Sequence, residues 1–77
     1  MKTVNRVNEN YVVIDNKVLH DKNLSLEAIG LYCELMSYPE DTTLEEFLAI
    51  PRLENEQTTR AIIKELEDSG YLTIEND

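Results

Sequence analysis

Residues 55–72 read Asn55-Glu56-Gln57-Thr58-Thr59-Arg60-Ala61-Ile62-Ile63-Lys64-Glu65-Leu66-Glu67-Asp68-Ser69-Gly70-Tyr71-Leu72. At helical spacing Ile62, Ile63 and Leu66 share one face, with Thr59 near its edge. Gln57, Arg60 and Lys64 are spaced by three and four, so they gather on the opposite side. Asn55 is the expected N-cap. Ser69-Gly70-Tyr71 has the form of a glycine stop followed by an apolar contact. The pattern predicts an amphipathic helix from about Glu56 to Ser69. After it, Tyr71-Leu72-Thr73-Ile74 alternates as a strand does.

Upstream, Thr43 and Glu46 have capping-box spacing, and Leu44, Phe47, Leu48 and Ile50 make a one-sided apolar face. Pro51 is expected to end this short helix, and Arg52-Leu53-Glu54-Asn55 forms the turn. A longer helix is expected over residues 24–38, with Ser25 as N-cap, Leu24 as a staple before it, and Pro39 as its stop. Its polar positions Glu27, Gly30, Glu34 and Ser37 form one narrow stripe, so the helix should be central and packed on more than one side. Tyr11-Val12-Val13-Ile14 is β-branched and aromatic, Asp15-Asn16-Lys17 reads as a turn, and Val18-Leu19 resumes the apolar character; this predicts a short strand or strand-turn unit. Residues 1–10 are polar and read as a flexible arm. Leu26, Ile29, Leu31, Leu35, Phe47, Leu48, Ile62, Ile63, Leu66 and Leu72 are the expected core.

The order is strand, helix, helix, turn, helix, strand. A short helix, a turn and a longer helix closed by Gly70-Tyr71-Leu72 make a helix-turn-helix followed by the first strand of a wing. The expected fold is mainly α with small β: a three-helix winged helix-turn-helix over residues 11–77. Here the chain resembles a known family. Asn23-Leu24-Ser25-Leu26-Glu27-Ala28-Ile29-Gly30-Leu31 is similar to the opening helix of winged-helix domains in phage and plasmid replisome organisers and replication initiators of Gram-positive bacteria. Thr59-Arg60-Ala61-Ile62-Ile63-Lys64-Glu65-Leu66-Glu67-Asp68-Ser69-Gly70-Tyr71-Leu72 resembles their recognition helix and wing start. The resemblance implies the winged-helix fold and DNA binding in replication or regulation. The sequence departs from the family in its wing: a second strand should follow a turn there, and Glu75-Asn76-Asp77 is too short for one, so a truncated wing is expected.

The chain has 77 residues, enough for one domain with a thin core. It is 42% hydrophobic and 30% charged, a globular composition. No apolar run approaches the roughly 20 residues that span a bilayer. No apolar h-region opens the chain and Cys33 is the sole cysteine, so a cytoplasmic location is expected, with no membrane partner and no disulfide. The net charge is −9. It is unevenly placed: residues 1–22 hold Lys2, Arg6, Lys17 and Lys22 against Glu9, Asp15 and Asp21, whereas the rest holds Arg52, Arg60 and Lys64 against thirteen acids. Such an acidic field opposes DNA and favours a basic partner.

Two functional classes follow. In the first, Arg52, Gln57, Arg60 and Lys64 contact duplex DNA, Gln suiting adenine and Arg suiting guanine. In the second, Glu27, Glu34, Glu40, Asp41, Glu45 and Glu46 present carboxylates to a basic protein partner, with Tyr11 and Tyr38 as apolar anchors. DNA-mimic inhibitors of nucleic-acid enzymes, anti-CRISPR proteins among them, are sometimes built this way. A homodimer is expected in either class, because a one-strand wing leaves an open edge. No enzyme and no cofactor is expected. There is no phosphate-cradling glycine loop and no nucleophile motif. His20 and Cys33 are too far apart in sequence, and too few, for a metal site. Adjacent pairs such as Glu45-Glu46 point apart on a helix and read as surface charge.

Overall fold

The computed structural model describes residues 11–75, so the expected arm over residues 1–10 lies outside the described residues. Among the described residues the fold is mainly helical, with four helices: α1 Asn16–Leu19, α2 Leu26–Met36, α3 Leu44–Leu48 and α4 Glu56–Asp68. Each helix start is set by a side chain that satisfies a free backbone N–H. Ser25 accepts from Ala28 N at 3.1 Å, and Asn55 accepts from Thr58 N at 2.8 Å. Thr43 and Glu46 form a reciprocal capping box, with bonds of 2.9 and 3.1 Å. The Thr43 backbone N–H, which donates to the Glu46 carboxylate, is the largest cause that holds this carboxyl below its ordinary range, with the Thr43 hydroxyl next.

α4 ends as its sequence predicts. Gly70 takes φ +85°, and its N–H bonds Glu67 O while Tyr71 N–H reaches back to Leu66 O, both at 3.0 Å. This pairing is the Schellman arrangement, and the left-handed residue within it is the place where glycine costs least.

The expected β component does not form among the described residues. Residues 11–14 and 71–75 belong to no helix or strand. A strand needs a ladder partner, and no backbone–backbone hydrogen bond joins residues 11–14 or 72–75 to any described residue. The strand expected to resume at Val18-Leu19 is instead the one-turn helix α1. Asp15 starts it by accepting from Lys17 N at 2.8 Å, so the residues read as a turn are a helix cap and first turn.

The core consists of Val18, Leu24, Ala28, Leu31, Phe47, Ile63 and Leu66, with Ile29, Leu35, Leu48, Ile62 and Leu72 packed half-buried against it. Leu26, an expected core residue, is 84% exposed. At 3.6 residues per turn it sits about 160° round α2 from Ala28, while Leu24 just outside the helix takes the inner position. α2 packs chiefly on α4, and α3 also packs on α4. Thr59 is buried in that seam, and its hydroxyl donates to Asn55 O at 3.0 Å, so no polar atom is stranded by its burial.

Two long-range polar ties lock these helices. Glu65 on α4 accepts from Ser25 N at 2.7 Å and from Ser25 Oγ at 2.8 Å, clamping the start of α2. Tyr71 Oη donates to Asp21 Oδ2 at 2.6 Å and its ring meets Tyr32 edge-on at 6.2 Å. The stretch after α1 is thereby fixed to the stretch after α4.

Candidate nucleic-acid interface

The outward face of α4 is decided by its inward one. With Thr59, Ile63 and Leu66 buried, Gln57, Arg60 and Lys64 are left exposed on the far side of the helix. These three of the four sequence-selected residues therefore share one face. Each cation there lies beside an acid one turn away. Arg60 Nε is 3.3 Å from Glu56 Oε2, and Lys64 Nζ is 3.5 Å from Asp68 Oδ1. All four side chains are more than half exposed, so these pairs are weak and exchange readily for another anion such as a phosphate.

Arg52 is the fourth selected residue, and it stands apart from the stripe. Its side chain is only 11% exposed. Its Nη2 lies 2.8 Å from Glu34 Oε2 and donates to Phe47 O at 3.2 Å, and the guanidinium carbon sits 4.7 Å from the centroid of the Phe47 ring. One side chain in the turn thus joins α2, α3 and the approach to α4. The charge-assisted bond and the cation–π contact bind it inward. Its Nε is buried with no hydrogen-bond partner, a cost that the other contacts offset. Arg52 orients the α3–turn–α4 unit, and its charge is already neutralised by Glu34.

The six selected acidic residues divide into three pairs. Glu27 and Glu34 line a cleft of about 220 Å³ with Arg52 and Thr59. Glu40 and Glu45 line a second groove of about 620 Å³ with Phe47, Leu72 and Ile74. Asp41 and Glu46 are exposed and line neither. Glu34 is half-buried and engaged by Arg52, and Glu46 is engaged in the α3 cap. Of the six selected acids, those left exposed and unengaged are Glu27, Glu40, Asp41 and Glu45. Of the two proposed aromatic anchors, Tyr38 packs edge-on against Phe47 at 6.2 Å, while Tyr11 is 82% exposed.

His20 caps the C-terminal end of α1, and Cys33 is half-buried on α2. Among the described residues no group of three His, Cys, Asp or Glu side chains is placed to hold a metal ion. No described helix is long and apolar enough to cross a membrane.

Sequence reasoning missed the Ser25–Glu65 and Asp21–Tyr71 ties. Glu65 falls at the edge of the α4 apolar face, a weak signal that it faces inward. Asp21–Tyr71 carries no local signal, being a contact across 50 positions. No protein-family model, curated protein or solved structure matches the chain.

Proposed function

We propose that the chain is a small non-catalytic winged-helix protein of phage or mobile-element type, an accessory DNA-binding factor in replication or regulation. The observation that carries this reading is the split of α4 into a buried face of Thr59, Ile63 and Leu66 and an exposed face of Gln57, Arg60 and Lys64. A helix so divided, following a short helix and a turn held by Arg52, can lie in a major groove with its polar face inward. Gln57 and Arg60 are the base-reading candidates, and Lys64 a phosphate contact. The sequence resemblance of residues 23–31 and 59–72 to replication-initiator winged helices supports the same reading. Fluorescence titration of labelled duplex DNA with wild type and with Arg60→Ala tests it. The reading expects binding at low salt that Arg60→Ala weakens by about 1–3 kcal/mol.

A second reading is favoured by one observation: Arg60 and Lys64 each sit beside an acid on a chain of net charge −9. On this reading the protein is an acidic protein-binding module, or a DNA-mimic inhibitor of a nucleic-acid enzyme. Glu27, Glu40, Asp41 and Glu45 would then face a basic groove. Association would be fast and salt-sensitive, and would be lost with Glu40→Lys combined with Glu45→Lys.

A further inference from the structure

Two surface features are not used by the proposed DNA reading. The first is the groove of about 620 Å³ bounded by the end of α2, the start of α3 and residues 72–75. Its floor is apolar, formed by Leu31, Leu35, Phe47, Ile63 and Leu66, and Glu40, Glu45 and Glu75 stand in its lining with no Lys or Arg. Ile63 and Leu66 lie on the buried side of α4, so this groove opens away from Gln57, Arg60 and Lys64. The second feature is the stretch Tyr11-Val12-Val13-Ile14. Tyr11 is 82% exposed and Val13 80% exposed. Such β-branched and aromatic residues suit a pleated strand with one covered face. Along the groove wall, residues 72–75 share with residues 11–14 the same lack of backbone hydrogen bonds to any described residue.

We propose that these features complete each other between two copies of the chain. Residues 11–14 of one copy lie as an added strand along residues 72–75 of the other, and Tyr11 and Val13 seat in the partner copy's groove. Side chains two apart share a face of a strand, so Tyr11 and Val13 enter together. Strand addition of this kind draws affinity from main-chain bonds and specificity from the alternate side chains. Charge favours the pairing. Residues 1–22 carry Lys2, Arg6, Lys17 and Lys22 against three acids, whereas Glu40, Glu45 and Glu75 line the groove. The exchange is reciprocal, giving a two-fold dimer with two identical seats. Two seats, each covering a tyrosine and a valine, bring the buried area to the order of the roughly 1,000 Å² that a specific interface requires.

Sedimentation equilibrium of the full chain from micromolar to millimolar concentration tests this without DNA. The expected result is a dimer that grows with concentration. Val13→Asp on the segment and Ile74→Asp in the groove each weaken it by about tenfold or more, because a carboxylate is then carried into an apolar seat. Val13 is exposed in the single chain, so Val13→Asp leaves the dilute thermal melt unchanged. Mixing the two variants restores a one-seat heterodimer, since one intact segment then meets one intact groove. A monomer at every concentration overturns the proposal. So does a dimer indifferent to Val13→Asp, or a monomer whose residues 11–14 resist proteolysis by folding into their own groove.

Discussion

The Arg52 guanidinium lies 2.8 Å from the Glu34 carboxylate, and this half-buried pair ties the turn before α4 to the middle of α2. A residue expected to face DNA and a residue expected to face a basic protein thus satisfy each other. The pair also rests on Phe47, whose ring lies 4.7 Å from the guanidinium carbon. Arg52→Ala should destabilise the fold by about 1–3 kcal/mol, through the lost cation–π contact and the Glu34 charge left unpaired. Arg60→Ala and Lys64→Ala should each cost no more than about 0.5 kcal/mol, because their pairs are exposed. Urea unfolding of the three variants checks the contrast.

Glu65 and Ser25 should be energetically coupled. Ser25 caps α2 while both its N–H and its hydroxyl donate to Glu65. Ser25→Ala should cost about 1 kcal/mol as a lost cap, and Glu65→Ala about 1–3 kcal/mol as a lost charged acceptor. The double variant should cost less than the sum by at least about 0.5 kcal/mol in a double-mutant cycle. Strict additivity would show that the tie carries no energy.

Core truncations should separate the inner and outer leucines. Leu66 and Ile63 are buried, and replacing either with Ala should cost about 2–5 kcal/mol. That approaches the whole stability of so small a domain. Leu26→Ala should change stability by no more than about 0.5 kcal/mol, since Leu26 is exposed. Thermal melts by circular dichroism give the ordering.

The Asp21–Tyr71 bond should make stability depend on pH at both extremes. The bond to Asp21 pushes the Tyr71 hydroxyl up to about 12, with burial and the nearby carboxylate charges acting in the same direction. The folded state therefore holds this proton more tightly than the unfolded chain, whose tyrosine titrates near 10. Stability from Tyr71 is complete below about pH 10 and is lost as pH rises towards 12. For Asp21, the hydrogen bond from Tyr71 is the largest cause that holds its carboxyl below the ordinary value of 3.8, with the Asn23 N–H next. Stability from Asp21 is present above that value and is lost as pH falls through the lowered one. Tyr71→Phe should flatten both dependences relative to wild type. Tyrosine absorbance during alkaline titration should show one ring ionising last, and Tyr71→Phe should remove it.

The starts of α2, α3 and α4 and the α4 stop were legible in the sequence because each depends on residues within four positions, whereas the start of α1 at Asp15 reads as a turn. Ser25, Thr43 with Glu46, Asn55 and Gly70 all act locally. The strands at residues 11–14 and 71–74 were not secured by the same reasoning, since β-branched composition only suits a strand and a ladder needs a second chain segment. Leu26 was misplaced because α2 has so few polar positions that its inner face cannot be chosen by pattern alone. At the candidate site, Gln57, Arg60 and Lys64 were legible from their spacing on an amphipathic helix. The inward turn of Arg52 was not, since it depends on Glu34 and Phe47 arriving from two other helices.

The most direct test of the α4 interface is the salt dependence of duplex DNA binding by wild type, Arg60→Ala, Lys64→Ala and Arg52→Lys. With Arg52 held by Glu34, the proposed interface has only Arg60 and Lys64 as exposed α4 cations for phosphate or base. The log–log salt slope should be shallow and should fall by about 0.9 for each phosphate contact removed. Lys64→Ala should weaken all sequences alike, Arg60→Ala should relax preference at one position, and Arg52→Lys should leave the slope unchanged. No binding by wild type to any duplex at low salt, or binding that survives Arg60→Ala and Lys64→Ala together without a change of slope, would contradict the account.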